Sequence, residues 1–339
     1  ARNRPRAALH GMSAAMKALV CRTLSDDLSA LKLEAVEVPK AGSGQVLMKM
    51  RAASVNFPDL LMVAGKYQFK PPIPFSPGME GAGVIAALGE GVSGFRIGDE
   101  VVAGLRYGGF AEYAIADTRV LRHKPPNMSF AEAASFPAAY LTAWVALHHR
   151  GMLQAGETLL VHGASGGVGM AAIDLGLMMN ATVIATSASA EKRAIIKARG
   201  AHHVLDATGF KDEVKRLTGG SGADVIYDPV GGDVFDESLR CIAWGGRVLI
   251  IGFASGRIPS IPANLPLIKG FSVIGVRAGE FGRRDPEKGA ANLVHIDALA
   301  ASGKIRPHVC AEFPLERARD AMQLLKDRKV IGKVVVTMA

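Results

Sequence analysis

The glycine-rich segment at residues 164–169 is the part of the chain whose chemical use is most definite. It reads Ala-Ser-Gly-Gly-Val-Gly, after an apolar run at 158–162 and before a helical pattern. A strand, a glycine turn and a helix in this order form a dinucleotide-binding fingerprint, here with alanine in place of the first glycine. Gly166 lets the backbone approach a pyrophosphate, and Gly169 lets helix and strand pack closely. The helix N-terminus adds free N–H groups. The predicted contacts are Ser165, Gly166, Gly167, Val168 and Gly169.

The residues after the next predicted strand indicate which dinucleotide binds. An NAD site places an acid about 20 residues beyond the loop. This chain instead has Ser187 and Ser189, followed by Lys192 and Arg193. Hydroxyl groups and cations suit a 2′-phosphate, which an acid would repel. We therefore predict NADPH as the cofactor, bound by Ser187, Ser189 and Lys192. In the alternative interpretation, Lys192 and Arg193 belong only to the solvated face of a helix.

A parallel sheet is needed to position these residues, and the central part of the chain predicts one. Apolar runs alternate there with helical patterns, which is typical of a doubly wound sheet covered on both faces. The predicted strands are residues 158–162, 181–186, 203–205, 223–227, 247–251 and 271–276. The predicted helices are residues 138–150, 168–179, 190–199, 210–217 and 234–243. Ligands bind at the carboxyl ends of such strands, so Phe253, Ala254 and Ser255 are predicted to contact the cofactor.

The flanking segments show a different pattern. Between residues 17 and 135, short apolar runs at 45–50, 83–88 and 100–103 are separated by glycine and proline, which favours a small β barrel or sandwich. Residues 70–78 hold four prolines and are predicted to form a loop. The tail has mixed character. Its predicted elements are helices at 287–301 and 315–325 and a strand at 333–337.

The composition excludes several classes of protein. The chain has 339 residues, of which 49% are hydrophobic and 21% charged, so it can fold around a large core. No uncharged apolar run reaches the ~18 residues of a membrane span. The net charge of +9 favours anionic ligands. No segment combines lysine and arginine with aromatic residues as nucleic-acid-binding proteins do. We predict neither a membrane nor a nucleic-acid partner.

Cysteine usage and the N-terminal residues bear on the compartment. Cys21, Cys241 and Cys310 are too few and too widely spaced for a disulfide framework or a four-cysteine zinc site. Reduced thiols indicate a cytoplasmic location. Residues 1–15 contain three arginines and no acid. We predict that they are an extension outside the fold, from an upstream start or an added expression sequence. The alternative is a mitochondrial transit peptide.

Seven short blocks of sequence, taken in order, resemble the zinc-free branch of the medium-chain dehydrogenase/reductase superfamily. The closest resemblance is to NADPH:quinone oxidoreductases and their enoyl-reductase relatives, and it extends from residue 16 onward. The blocks are residues 55–59, 78–83, 98–102, 109–113, 164–169, 228–232 and 332–336.

The resemblance implies a fold and an assembly. It implies an α/β protein in which a GroES-like β-rich catalytic domain, residues 16–138 and 281–339, holds an inserted Rossmann domain with a doubly wound parallel sheet, residues 139–280. The active site of such proteins lies in the cleft between the domains. Family members are usually dimers or tetramers, often joined through the last Rossmann strand, here 271–276. The resemblance therefore implies a homodimer or homotetramer.

The resemblance also implies roles for single residues. Asn56 matches an asparagine near the nicotinamide and ribose, where its amide can donate to a ribose hydroxyl, to substrate or to water. An Asx turn is the alternative role for Asn56. Tyr67 matches the proposed proton donor of enoyl-thioester reductases, since a phenol can donate to an enolate. Packing against the proline-rich loop is its alternative role. The remaining matched cofactor positions are Thr142, Val230 and Lys333.

At three positions the chain departs from its relatives. Met79 stands where zinc enzymes have histidine, and the cysteine ligands are missing as well, so we predict no metal. Leu61 replaces a tyrosine of many quinone oxidoreductases and gives a wider or more apolar pocket. Asp206 replaces a tyrosine at the adenine end. It would loosen that pocket, or disfavour the 2′-phosphate if its carboxylate points inward.

Three functions are consistent with these residues. Without a metal, the favoured chemistry is hydride delivery to a carbon activated by conjugation, with donors for the charge that develops on the carbonyl oxygen. The first prediction is an NADPH-dependent oxidoreductase whose small-molecule substrate is a quinone or an enone. The second is a 2-enoyl thioester reductase, with Arg277, Arg283 and Arg284 as candidate contacts of CoA phosphates. The third is an NADPH-binding structural or RNA-binding protein, which no aromatic–basic motif supports.

Overall fold

The computed structural model describes residues 15–339, and its elements are numbered here in chain order. The strands are β1 (Ala15–Val20), β2 (Lys32–Glu37), β3 (Gln45–Ser54), β4 (Glu80–Leu88), β5 (Glu100–Gly104), β6 (Tyr113–Asp117), β7 (Leu121–His123), β8 (Thr158–Val161), β9 (Thr182–Thr186), β10 (His203–Leu205), β11 (Ala223–Asp228), β12 (Ile242–Ile250), β13 (Ser272–Gly275), β14 (Val309–Pro314) and β15 (Lys333–Thr337). The α-helices are α1 (Phe57–Val63), α2 (Phe130–Ala133), α3 (Pro137–Trp144), α4 (Gly167–Met178), α5 (Ala190–Ala198), α6 (Phe210–Leu217), α7 (Gly232–Ser238), α8 (Asn264–Lys269), α9 (Ala278–Arg284), α10 (Pro286–Ala301) and α11 (Ala318–Lys326). Of the predicted N-terminal extension, only Ala15 is among the described residues, and it begins β1.

The chain divides into two compact units. Unit 1 comprises the described residues up to 123 together with 313–323 and 336–339, and unit 2 comprises 124–312 and 324–335. This division differs from the limits expected at 139 and 280. Residues before 139 make contacts inside unit 2, where the Asn127 side chain donates to the Ala300 carbonyl at 2.9 Å. The functional domain limits, 16–138 with 281–339 and 139–280, stay a prediction.

Unit 2 contains a six-stranded parallel sheet. Its strand order is β10-β9-β8-β11-β12-β13, and each neighbouring pair is parallel. The predicted doubly wound α/β sheet is therefore confirmed. The chain order of the strands reverses between β8 and β11, and sheets of this class bind ligands at the carboxyl ends of the strands beside that point.

The strands of this sheet are continuously apolar because helices cover both faces. Leu160 and Ile226, on neighbouring strands, are fully buried in one cluster with Phe210 of α6 and Phe235 of α7. Successive strand residues face opposite sides. Leu159 accordingly faces α4, where a Cβ atom added at Gly176 would lie 2.6 Å from the Leu159 side chain. Close helix packing of this kind fixes α4, whose first residue follows the carboxyl end of β8.

One predicted helix boundary is wrong. The expected helix at 234–243 ends earlier, because α7 stops at Ser238 and the Cys241 N–H closes a turn onto the Ser238 carbonyl at 3.0 Å. Strand β12 then begins at Ile242, which pairs with Ala223 of β11. Pairing with a distant strand overrides the local helical pattern here.

Unit 1 is rich in strands, as predicted. Strand β3 pairs antiparallel with β4 and with β6, and the sheet continues through β5 to β7. Strands β14 and β15, which end inside this unit, extend the sheet beyond β3. Strand β1 pairs with β2, and its Met16, Ala18 and Val20 pack against Ala111. Residues 70–78 contain neither helix nor strand, in agreement with the predicted loop.

Within residues 15–339, every helix falls short of the length or the apolar composition that a membrane span requires.

Candidate cofactor site and catalytic residues

The glycine-rich loop connects the end of β8 to the start of α4. The Gly166 N–H donates to the Gly163 carbonyl at 3.0 Å, and the Ser165 carbonyl accepts from the Gly332 N–H at 2.7 Å, so the turn is held on two sides. The first bond of α4 runs from Met170 N–H to the Gly166 carbonyl at 2.9 Å. The N–H groups that precede it have no partner inside the helix. An anion fits such a helix start.

The two glycines with separate predicted roles have different surroundings. Gly166 has φ −83° and ψ 168°, a conformation open to any residue. A Cβ atom added there would meet only the Gly163 carbonyl oxygen, at 3.4 Å. The space beside Gly166 is therefore open, and a pyrophosphate can approach the backbone. At Gly169, an added Cβ would lie 2.5 Å from the Gly163 oxygen and 2.7 Å from Ala164 Cα. Gly169 is needed for the close approach of helix and turn.

A fully buried histidine lies directly before this loop. His162 Nδ1 is 2.8 Å from Thr186 Oγ1, and His162 Nε2 is 2.8 Å from Ser238 Oγ. Burial lowers the pKa of His162 from 6.5 to about 3, so the ring is neutral at physiological pH. The histidine thus ties the end of β8 to the end of β9 and to α7.

The end of β9 carries the predicted 2′-phosphate contacts. Ser187 Oγ donates to Ser165 Oγ at 3.3 Å, which brings the second strand end against the glycine loop. Ser189 caps α5, because its hydroxyl accepts from the Lys192 N–H at 3.2 Å. Lys192 Nζ donates to the Arg328 carbonyl at 2.6 Å. Hydroxyl and ammonium groups therefore surround the turn after β9.

The ends of β11 and β12 are joined by hydrogen bonds. The buried Asp228 carboxylate accepts from the N–H groups of Val230 and Gly231, at 2.8 and 2.9 Å. Burial raises the pKa of Asp228, against the lowering effect of these two bonds. The Ser255 N–H donates to the Val230 carbonyl at 2.9 Å, and the Ala254 N–H donates to the Pro229 carbonyl at 3.0 Å. Residues 253–255 thus lie along the turn after β11.

Arg328 binds the same segment, residues 253–255, through its side chain. Its Nη2 donates to the carbonyls of Ala254 and Ser255, at 3.1 and 3.3 Å. Since the Arg328 carbonyl also accepts from Lys192, this residue links the turn after β9 to the turn after β12. Arg328 adopts φ 58°, an uncommon conformation for a residue other than glycine. Sequence reasoning missed Arg328.

Two further predicted cofactor residues lie on other elements of unit 2. Lys333 is buried, and a Cβ added at Gly167 would meet its Cδ at 2.5 Å, so its stem packs on the first residue of α4. Thr142 is half-buried on α3, a helix that packs against α4. The structure thus groups the glycine loop with Ser187, Val230 and Lys333. Within residues 15–339, the Thr142 side chain forms no hydrogen bond to them.

The predicted catalytic residues belong to unit 1. Asn56 Nδ2 donates to Glu80 Oε1 at 2.9 Å, and its backbone N–H donates to the Asp59 carboxylate at 2.8 Å. Asp59 is buried and also accepts from the Gly78 N–H at 2.9 Å, so it caps α1 and holds the loop before β4. Glu80 is buried on β4. The Asn56 carboxamide is therefore oriented by a buried carboxylate.

Tyr67 follows α1 in the same unit. Its backbone N–H donates to the Leu61 carbonyl at 3.2 Å, and its side chain is half-buried. The nearby aromatic stack is formed by Phe69 and Tyr107, whose ring centroids are 6.1 Å apart. Within residues 15–339, the Tyr67 ring does not stack on another aromatic ring.

Comparison with known proteins gives the family. The alcohol dehydrogenase GroES-like domain matches residues 42–126, and the zinc-binding dehydrogenase family matches residues 167–295. Quinone oxidoreductase-like protein 2 of Rattus norvegicus is 38% identical over 336 residues, which cover 98% of this chain and 95% of the relative. The chain belongs to the quinone oxidoreductase-like, zinc-free branch of the medium-chain dehydrogenase/reductase superfamily. It is an oxidoreductase of the class that binds nicotinamide cofactors.

Solved structures of this superfamily agree in fold. A mycobacterial structure in complex with NADPH is 31% identical, with a TM-score of 0.88, 95% of this chain covered and 99% of the other. The JamJ enoyl reductase in its apo form is 30% identical, with a TM-score of 0.85, 96% of this chain covered and all of the other. The GroES-like and Rossmann assignments are thereby confirmed.

Met79, which the resemblance matches to the histidine ligand of the zinc enzymes, directly precedes Glu80. Among the described residues, no three histidine, cysteine, aspartate or glutamate side chains form a group that could hold a metal ion. That the protein works without a metal stays a prediction.

Sequence reasoning missed His162, Glu80 and Arg328. The histidine stands inside an apolar strand pattern, which could have signalled a buried polar bridge. Glu80 lies within a matched block, but its role depends on a hydrogen bond to Asn56. These two residues are 24 positions apart, and the sequence does not show that they meet. Nothing in the local sequence distinguishes Arg328 from the basic residues around it.

Proposed function

We propose that this superfamily member is an NADPH-dependent, zinc-independent oxidoreductase that reduces quinones or other activated C=C carbonyl compounds. One observation carries the proposal. The open glycine loop at the start of α4 adjoins a strand end where Ser187, Ser189 and Lys192 replace the ribose-binding acid of an NAD site. When bound, the cofactor supplies a hydride.

The residues of unit 2 fit the cofactor along its length. The first N–H groups of α4 would hold the pyrophosphate, since the space beside Gly166 is open. Ser187, Ser189 and Lys192 would hold the 2′-phosphate. Residues 253–255, together with Val230, Thr142 and Lys333, would contact the nicotinamide half.

Substrate activation is assigned to Asn56. Negative charge develops on the carbonyl oxygen of a quinone or enone during reduction, and a preorganised donor stabilises it. The Glu80 carboxylate and the Ser54 carbonyl fix the Asn56 amide plane by accepting from Nδ2, at 2.9 and 3.4 Å. A substrate oxygen would take the place of the longer and weaker of these two bonds. A donor that is already oriented needs no rearrangement during the reaction.

A second candidate is reduction of 2-enoyl thioesters. The likeness to a solved enoyl reductase favours it, and Tyr67 would supply the proton. The predicted CoA contacts lie on or beside α9, where Arg283 and Arg284 each bind Glu280 at 2.9 Å. These pairs reduce the charge that the helix offers to a phosphate, which places this reaction second.

We also propose a homodimer or homotetramer whose copies pair through β13. This strand ends the sheet of unit 2, and end strands present unpaired N–H and C=O groups. Apolar side chains that precede it in the sequence are exposed, with 80% of Trp244, 80% of Leu267 and 66% of Ile268 accessible. A second copy would cover them. For the location we propose the cytoplasm, where the free thiols of the three cysteines stay reduced.

Parallel oxidation assays with NADPH and NADH test the proposal. The acceptors are a para-quinone, an ortho-quinone, a simple enone and crotonyl-CoA. We expect quinone or enone turnover with NADPH, little turnover with the thioester, and no effect of Tyr67→Phe on quinone reduction. Thioester turnover that collapses in Tyr67→Phe would establish the second candidate instead. If no acceptor is reduced with either cofactor, the proposal is wrong.

A further inference from the structure

An ion pair lies beside the turn after β9. This turn is predicted to bind the 2′-phosphate that distinguishes NADPH from NADH. Arg193, in the first turn of α5, places Nη1 2.7 Å from Asp206 Oδ2. The same nitrogen is 2.9 Å from the Ser187 carbonyl and 3.1 Å from the Ala188 carbonyl. Asp206 directly follows β10, whose last residue, Leu205, accepts from the Ser187 N–H at 3.2 Å. The carboxylate therefore stands beside the strand end that carries the predicted 2′-phosphate contacts.

This ion pair contributes little to folding. The Asp206 side chain is 51% exposed and the Arg193 side chain 29%, so water screens their attraction. Exposed pairs of this kind add little to the stability of a protein. Its effect on a ligand is larger, because Arg193 decides whether the neighbouring carboxylate acts as an isolated negative charge.

The two cofactors require opposite charges at this place. NADH presents two ribose hydroxyls, which an Asp or Glu accepts, whereas NADPH presents a phosphate, which an arginine binds. Asp206 on its own would favour NADH and repel NADPH. Paired with Arg193, its charge is compensated. Within residues 15–339, the Arg193 side chain donates its hydrogen bonds through Nη1, so Nε and Nη2 remain as donors toward a phosphate.

We propose that the Arg193–Asp206 ion pair is the cofactor-selecting element of this protein. Arg193 both attracts the 2′-phosphate and withholds the Asp206 carboxylate from the ribose hydroxyls of NADH. Loss of Arg193 converts the site toward NADH, and the conversion requires Asp206. This inference rests on the proposed use of NADPH and adds the pair of residues that enforces it.

Binding of cofactor fragments tests the proposal without relying on turnover. Calorimetry would measure the Kd values of 2′,5′-ADP, which carries the phosphate, and of 5′-AMP, which lacks it. The variants are Arg193→Met, Asp206→Asn and the double variant. Arg216→Met is the matched control, because it breaks a similar exposed pair with Glu213 on α6.

We expect Arg193→Met to weaken 2′,5′-ADP by roughly tenfold or more, since a charge-assisted contact is lost, and to leave 5′-AMP binding equal or tighter. Adding Asp206→Asn should return at least a third of the lost preference and remove any gain in 5′-AMP affinity. Arg216→Met should behave as wild type. Equal weakening of both fragments by Arg193→Met would show that the arginine only holds the turn, and would overturn the proposal.

A double variant indistinguishable from Arg193→Met would also overturn it, because Asp206 would then have no part in selection. The fragment data separate this inference from the proposed reaction. If wild-type protein prefers 2′,5′-ADP but oxidises NADPH with none of the acceptors, the proposed reaction fails and the ion-pair inference stands. If wild-type protein binds neither fragment, both fail.

Discussion

The imidazole of His162 and the hydroxyl of Thr186 form a hydrogen bond of 2.8 Å in which the histidine is the acceptor. The direction follows from Ser238 on the other side of the ring. Ser238 Oγ already donates its single proton to the Val234 carbonyl at 2.7 Å, so it must accept from His162 Nε2. Nδ1 of the neutral ring is then unprotonated and accepts from Thr186. The tautomer of His162 that carries its proton on Nε2 therefore fixes the hydroxyl of Thr186, the residue before Ser187.

The first prediction concerns acid stability. Burial lowers the pKa of His162 from 6.5 to about 3, so below pH 6.5 the unfolded chain binds a proton that the folded protein refuses. Folding stability is therefore lost as pH falls from 6.5 toward 3, at up to about 1.4 kcal/mol per pH unit. Urea denaturation at pH 7.5 and pH 5 would measure this in wild type and His162→Phe. The variant should lose stability less steeply on acidification.

The same variant should also be less stable at pH 7.5, by about 1–3 kcal/mol, because the buried Thr186 hydroxyl loses its acceptor. His203→Phe on β10 is the control for replacing a strand histidine. An unchanged difference between the two pH values in His162→Phe would show that this histidine does not cause the acid sensitivity.

The second prediction separates the two glycines of the loop. Gly169→Ala brings Cβ within 2.5 Å of a backbone oxygen, so we expect the protein to lose about 1–3 kcal/mol of stability. Gly166→Ala meets nothing closer than 3.4 Å and should change stability by less than about 1 kcal/mol. Its methyl group instead occupies the approach to the helix start. We expect its NADPH affinity to fall at least roughly tenfold, since phosphate binding there depends on backbone contact.

Thermal denaturation and NADPH titration of both variants check this contrast. Ser302→Ala, at the end of α10, is a control substitution in unit 2. Wild-type affinity in Gly166→Ala would contradict the assignment of the pyrophosphate to this turn.

The fold was predictable from sequence where local pattern and burial agree. Strands β8, β9, β10 and β11 are apolar runs bounded by turns, and the glycine turn between an apolar run and a helical pattern predicted the start of α4. Partnerships across long sequence separations were not predictable. Ser238 is 76 residues from His162, and its serine hydroxyl resembles many others in the chain. Likewise, Asp206 was recognised as a departure from relatives, but its pairing with Arg193 depends on where β10 ends beside α5.

The third prediction concerns the oriented amide of Asn56. Asn56→Ala removes the assigned donor and should lower kcat/KM for quinone reduction by roughly tenfold or more. Glu80→Ala leaves the amide but removes its carboxylate partner at 2.9 Å, and should lower kcat/KM by a smaller factor. Because both changes act through one group, the double variant should resemble Asn56→Ala. Steady-state assays with NADPH would measure all three.

Glu34→Ala, which breaks an exposed ion pair with Arg22 in the same unit, is the control and should retain full activity. Melting temperatures exclude loss of fold as the cause, since Glu80 is buried. Losses that multiply in the double variant would contradict the assignment of Glu80 as the residue that positions Asn56.

The fourth prediction concerns assembly through β13. The Trp244 ring lies over Gly270, where an added Cβ would be 2.9 Å from it, and Leu267 and Ile268 of α8 stand just before the same strand. Water contacts 80% of Leu267 and 66% of Ile268 in a single chain, so a partner that covers them gains their burial. Burying two such side chains is worth about 1.5–3 kcal/mol each.

Light scattering should find a dimer or larger assembly for wild type, and a monomer for Leu267→Lys/Ile268→Lys. Ile97→Lys, at an isoleucine of unit 1 with the same 66% exposure, should leave the assembly unchanged. A wild-type monomer, or an assembly that survives both lysines, would show that copies of the chain do not join through this edge.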